Sequence, residues 1–320
     1  MRDVFKTDGE FNQWDKLVLD VKEIYKKHPL SVNVLEETRP TLPTVLFHRF
    51  YKTSLIPLSL RHFIRKLSLR VSLDTSWFDV FSNYWSNILG GRPLLGVQDF
   101  YFLTNLYRTR FQDNQIPDTN DANIHLEAWQ RPELLYQLLH LVYKETIVDY
   151  VYLLKKMFKY KPKIRNFLEF GCGTAPITAS LYDFFGMRKE MKVYFSDIQT
   201  IAFHYAAYRF AQYQNANAII LKPENDFKLA NLPPLDVITC ITVFEHLNKP
   251  LDTVKDFYAL LSPGGLFFFD YIKSEGGGMD TNHGARERLA VLEFVASHFD
   301  ILEGNLNEND SIGLVIAKKK

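Results

Sequence analysis

The sequence predicts an α/β fold: a mostly parallel sheet covered on both faces by helices, with a mainly helical region ahead of it. Three observations lead there. From Ile164 onward, short apolar runs alternate with longer amphipathic ones, as strands and helices do when they take turns. The first apolar run ends in Gly171-Cys172-Gly173, a strand-to-helix turn. Two strand-like runs then follow one another directly after residue 298, which reads as an antiparallel terminal hairpin.

Residues 1–127 form the helical N-terminal part in this reading, and residues 128–320 the sheet-bearing domain. Phe11 to Lys27 places Phe11, Trp14, Leu17, Val18, Val21 and Ile24 near helical periodicity. Pro29, Pro40, Pro43 and Pro57 break the chain into short pieces. Helical patterns resume at Leu58 to Leu69, Thr75 to Ile88 and Val97 to Phe111, with a turn at Gly90-Gly91-Arg92-Pro93. The polar stretch Gln112 to Asn123 reads as a surface loop or hinge. Ala128 to Phe158 is one bent helix or two, with Pro132 suited to a helix start.

Strands are then expected at Ile164 to Phe170, Met191 to Ser196, Ala218 to Leu221, Leu235 to Ile241 and Gly265 to Phe269. Helices fall between them at Ile177 to Phe185, Ile201 to Tyr213 and Leu251 to Leu261. A helix at Ala285 to His298 leads into the hairpin, Phe299 to Leu306 and Ser311 to Ala317.

Composition narrows the function. With 38 basic against 37 acidic residues, no global field recruits a polyanion, which weighs against a nucleic-acid partner. Arg61, Arg65, Lys66 and Arg70 make only a modest basic cluster. The 15% aromatic content is high, and such rings fill a core or line a cleft. Two cysteines, Cys172 and Cys240, are too few for a disulfide framework or structural zinc. No stretch is long and apolar enough for a signal peptide or a membrane span, so a cytoplasmic protein is expected.

The stretch Asn166-Phe167-Leu168-Glu169-Phe170-Gly171-Cys172-Gly173-Thr174-Ala175 resembles the glycine-rich motif of class I S-adenosylmethionine-dependent methyltransferases. The resemblance runs from about Tyr136 to Lys318. Family-like too are Leu235 to Leu247, with its Glu245-His246-Leu247 triplet, and Leu260 to Asp270, with its Pro263-Gly264-Gly265 turn. It implies a Rossmann-like seven-stranded methyltransferase sheet, an S-adenosyl-L-methionine cofactor and S-adenosyl-L-homocysteine as product. Glu169 would then lie near the cofactor's amino-acid end, and Gly171, Cys172, Gly173 and Thr174 beneath its methionine and ribose portions. Asp197 would take the ribose hydroxyls; its other reading is a helix cap. Ile198 is a candidate for apolar contact with the adenine, and Thr242 lies in the family-like fourth-strand segment. Glu224, Asn225 or Asp226 would meet the adenine amine, with Asn225 as the representative. The position of Ala175 departs from the third glycine many members carry.

A dehydrogenase fingerprint is missing. It needs a third glycine three residues beyond Gly173, where Pro176 stands, and an acidic residue about 20 residues on; Asp197 is 26 beyond Gly171. No P-loop segment occurs.

Methyl transfer asks the protein mainly to align an acceptor, with a base only if the acceptor carries a proton. His246, Tyr271 and His283 are the candidates for it. No metal is expected. The acceptor is read as a small molecule, with a non-catalytic binding protein or a nucleic-acid methyltransferase as the alternatives. The N-terminal helices would serve as a lid over the acceptor or as a homodimer surface.

Overall fold

A computed structural model describes residues 23, 26–27, 76–91, 93–97, 99–101, 103–104, 135–147, 150–185, 190–222, 227–229, 231–273 and 280–320. Most of the helices expected before residue 75, the loop 112–123, the basic cluster at residues 61–70 and Asn225 lie outside the described residues.

The described N-terminal part holds α1 (Ser76–Asn83) and, directly after it, a π-helical turn, Tyr84–Ile88. The single helix expected at residues 75–88 is therefore two segments. Trp85 accounts for the constraint that follows: a β-carbon on Gly91 would lie 2.2 Å from its ring. The long apolar run resolves into α2 (Leu135–Ile147) and α3 (Val151–Tyr160).

The sheet comprises β1 (Asn166–Phe170), β2 (Lys192–Ile198), β3 (Ala216–Leu221), β4 (Leu235–Cys240), β5 (Leu261–Tyr271), β6 (Phe299–Glu303) and β7 (Ile312–Lys319). Between them run α4 (Pro176–Phe185), α5 (Ile201–Phe210), α6 (Pro250–Leu260) and α7 (Asn282–His298). Pro176 and Pro250 open their helices, where proline's missing N–H costs nothing. The order across the sheet is β3-β2-β1-β4-β5-β7-β6. The first five strands are parallel, and β7 pairs antiparallel with both β5 and β6.

Boundaries differ from expectation in two informative places. β2 continues through Asp197 and Ile198, which pair with Ile220 and Leu221, so Asp197 belongs to the strand rather than lying beyond it. β5 begins at Leu261, opposite Leu235, and its register with β4 shifts before Leu266. The Pro263-Gly264-Gly265 segment is thus a bulge inside the strand.

Alternation along the strands divides the core. Phe167, Val193, Phe195, Val237, Leu266 and Phe268 face α3, α4 and α5. Leu168, Ile238, Phe267 and Phe269 face α6 and α7. A third cluster joins Phe81, Tyr84, Trp85 and Phe100 to Leu138 of α2 and to Ile201 and Tyr205 of α5. Aromatic rings expected to need a home are part of this packed core: Phe100 meets Phe81 edge-on at 5.1 Å.

Strand order reverses between β1 and β4. That crevice, at the strands' carboxyl edge, is where an open α/β sheet receives a ligand.

Candidate functional site

Four strand ends meet at this edge. The turn after β1 has left-handed backbone at Gly171 (φ 63°) and Gly173 (φ 52°). Gly171 has no room for a side chain, since a β-carbon would lie 2.4 Å from Val243. Ala175 shares the left-handed conformation (φ 56°) while wholly buried, so the alanine at the third-glycine position carries strain that glycine would not.

Glu169 lies beneath the turn, 3% exposed. Its carboxylate accepts the Thr178 N–H at 2.7 Å and the Ile177 N–H at 3.1 Å, which anchors the first turn of α4. Burial pushes its pKa up to about 7, against the opposing pull of those hydrogen bonds. Cys172 is buried and donates its N–H to the Ser196 carbonyl at 3.1 Å. Its thiol pKa is driven well up, chiefly by burial and also by Asp197.

Asp197 faces the same turn. Its Oδ2 accepts the Gly173 N–H at 2.6 Å and its Oδ1 the Ile198 N–H at 2.7 Å. The helix-cap reading fails, because Thr200 caps α5 by accepting the Phe203 N–H at 3.1 Å. Burial raises the Asp197 pKa to about 6, opposed by the two N–H donors and by His246. Ile198, half-buried, packs at the end of β2 against the core shared with α6 and α7.

Thr242, just past β4, is left-handed at φ 57° and donates its N–H to Asp270 Oδ1 at 2.5 Å. A β-branched residue in that conformation is strained, a state that survives only where its surroundings impose it. Phe244–His246 then form a single 3-10 turn. His246 Nδ1 lies 3.1 Å from Asp280 Oδ1, and its Nε2 lies 4.0 Å from Glu245 Oε1. Glu245 is 2% exposed, and neither carboxyl oxygen has a hydrogen-bond partner among the described residues. Burial lifts its pKa to about 7; His246 opposes the shift, while Asp270 and Asp280 add to it.

The other two candidate bases sit on β5 and α7. Tyr271 is fully buried, its ring stacked on Phe244 at 5.1 Å and its hydroxyl donating to the Gly284 carbonyl at 2.5 Å. Its pKa is raised, first by burial. That seat is in the core between the sheet and α7. His283 is exposed in the first turn of α7, not in the loop before it.

The partners of Thr174 escaped the sequence reading. Thr174, 1% exposed, donates its hydroxyl to Glu145 Oε1 of α2 at 2.5 Å. The other Glu145 oxygen accepts from Arg209 of α5. Burial works against the Arg209 cation, yet Glu145, Tyr205 and Asp183 hold its pKa above the ordinary value. Glu145 and Arg209 are 64 positions apart, and no local pattern links them. Asp270 and Asp280 did carry a signal, as polar residues closing an apolar strand and preceding a helix. Among the described residues, no group of three His, Cys, Asp or Glu is placed to hold a metal ion, and no helix is long and apolar enough to cross a membrane.

Residues 168–267, from mid-β1 to mid-β5, match the family model described as a methyltransferase domain. A search of curated proteins finds none that matches the chain. Among solved structures, the chain is similar to the N-methyltransferase NodS from Bradyrhizobium japonicum WM9, at 14% identity and TM-score 0.40. That match covers 53% of this chain and 85% of the other. It is also similar to the 1,6-didemethyltoxoflavin-N1-methyltransferase of Burkholderia thailandensis, at 14% identity and TM-score 0.42, over 64% and 94% of the two chains. A putative O-methyltransferase from Klebsiella pneumoniae matches at 12% identity and TM-score 0.40, over 53% and 78%.

Proposed function

We propose, for a chain that carries a class I S-adenosylmethionine-dependent methyltransferase domain, that it transfers a methyl group from S-adenosylmethionine to a small-molecule acceptor. The observation that carries this reading is the meeting of the glycine turn and Asp197 at the strand-order reversal, inside the matched segment. The residues present fit the cofactor. Gly171 and Gly173 leave the turn's backbone bare, and each Asp197 oxygen accepts one N–H while keeping lone pairs for a ribose diol.

When bound, the cofactor supplies an electrophilic methyl on a sulfonium; the chain's residues supply position and proton handling. The turn Gly171 to Thr174 would hold the methionine and ribose portions. Glu169 fixes that turn from below by holding the N-terminus of α4. Ile198 offers apolar contact to the adenine, Asn225 a polar one, and Thr242 closes the site on the β4 side. His246 is the base for an acceptor that carries a proton, with Asp280 orienting its ring through Nδ1.

The N-terminal region to residue 127 is read as cover for the acceptor or as a homodimer surface, against the domain of residues 128–320. The near-balance of charge supports a partner other than nucleic acid. Two buried free thiols, Cys172 and Cys240, support a reducing, cytoplasmic setting.

Calorimetry with S-adenosylmethionine and S-adenosylhomocysteine tests the reading. Saturable binding of both by the full chain is expected, and a folded sample that binds neither overturns it.

A further inference from the structure

Helix α2 is joined to the glycine turn by a largely buried bridge to which the proposed chemistry gives no task. Thr174 donates to Glu145, and Glu145 pairs with Arg209; the pair's side chains are only 13% and 14% exposed. Leu141, one helical turn before Glu145 and on the same face, places its Cδ1 3.4 Å from where a β-carbon on Gly173 would sit. Successive turns of α2 thus touch successive residues of the glycine turn.

Stability does not account for the arrangement. Two charges taken out of water lose solvation that their attraction offsets only in part, and an apolar pair of similar size commonly holds as well. An apolar pair would keep α2 against α5. It would not accept a hydrogen bond from Thr174. That residue stands between left-handed Gly173 and left-handed Ala175, so any rotation there re-aims the backbone groups on either side.

We propose that Glu145 is a positioning residue for the cofactor: with its carboxylate fixed by Arg209, it holds Thr174 so that the glycine turn is preset for the methionine and ribose portions of S-adenosylmethionine. The inference rests on the reading that this turn binds that cofactor. It makes α2, which precedes the matched segment, part of the cofactor site's machinery without contact to the reacting atoms.

The test is calorimetry with S-adenosylhomocysteine on the full chain, with melting curves, for the wild type, Thr174→Val, the double variant Glu145→Leu/Arg209→Met and the triple variant that combines them. The double variant is expected to melt near the wild type, because both charges leave together. It is nevertheless expected to bind about tenfold more weakly, as one lost hydrogen bond to a charged group allows. Thr174→Val is expected to weaken binding similarly, and its effect to disappear in the double-variant background, since one interaction is removed twice. Wild-type affinity in the double variant, or additive losses, overturns the proposal. Should the double variant not fold, Thr174→Val decides alone: it keeps shape and charges, and unchanged affinity there overturns the proposal as well. A wild type that binds no S-adenosylhomocysteine brings down the cofactor reading together with this one, whereas a binding wild type with indifferent variants brings down only this one.

Discussion

Asp197 accepts the Gly173 N–H at 2.6 Å, which ties the end of β2 to the turn that follows β1. In the proposed function this one carboxylate serves two tasks, setting the turn and offering acceptors to a diol. Its pKa of about 6 gives these tasks a pH dependence. Hydroxyl donors favour the ionised form, so cofactor affinity is expected to fall as pH drops through about 6 and to level off above it. Asp197→Ala should weaken binding about tenfold or more at pH 8, from a loss of roughly 1.5–3 kcal/mol. Calorimetry at pH 5 and pH 8 checks both statements; a flat pH profile in the wild type contradicts the assignment.

The Asp280–His246 contact yields a kinetic expectation. With a proton-bearing acceptor, His246→Gln should lower kcat by about 10²–10⁴-fold, the usual span for a lost general base. Cofactor affinity should change far less than kcat, because the ring lies against Asp280 and Glu245 and reaches Asp197 only through its charge. Asp280→Asn should cost less and shift the pH–rate profile. Turnover unchanged in His246→Gln removes the base from the mechanism.

Glu245 makes the fold lose stability as pH rises from about 4.5 to about 7. Its pKa is raised in the folded protein from an ordinary 4.5 to about 7. Between those values the folded state holds a proton that the unfolded chain has released. Stability from this group is therefore greatest at low pH and declines as pH rises through about 7. Glu169, also raised to about 7, acts in the same direction. Glu245→Gln should melt higher than the wild type at pH 8 and show a shallower decline from pH 5 to pH 8. Parallel melting curves for the two proteins across that range would refute the linkage.

Ala175 offers a stabilising substitution. Its left-handed backbone costs a residue with a β-carbon roughly 1–2 kcal/mol, and glycine escapes that cost. Against this stands the loss of one buried methyl, worth about 0.8 kcal/mol. Ala175→Gly is expected to stabilise by up to about 1 kcal/mol and to leave cofactor affinity intact. Denaturant titration measures it, and a lower midpoint would show that the methyl's packing outweighs the strain.

Much of the sheet was legible because strands buried on both faces leave apolar runs that turn residues end. Leu266-Phe267-Phe268-Phe269 and the Gly171-Cys172-Gly173 turn needed no partner to be recognised. Asp197 was placed one step off because apolar patterning cannot see where a parallel ladder stops: its pairing with Ile220 is a property of β3. Tyr271 and His283 looked alike as hydroxyl and imidazole near a strand end. Only packing separates them, since a hydroxyl spent on Gly284 and an exposed helix start leave no trace in composition. The Glu145–Arg209 pair was invisible for the same reason, its partners meeting only through the docking of α2 on α5.

The position of β7 bears on how the chain is made. Since β7 lies between β5 and β6, β6 leaves the ribosome before β7, its one partner in the ladder, exists. Until residues 312–319 have emerged, β5 presents a bare edge rich in phenylalanine, an invitation to pairing between nascent chains. Arg288 of α7, which donates to the carbonyls of Asn307, Glu308 and Asp310, grips the link between β6 and β7. In the folded protein a single guanidinium thus fastens the connection that lets β7 turn back between β5 and β6.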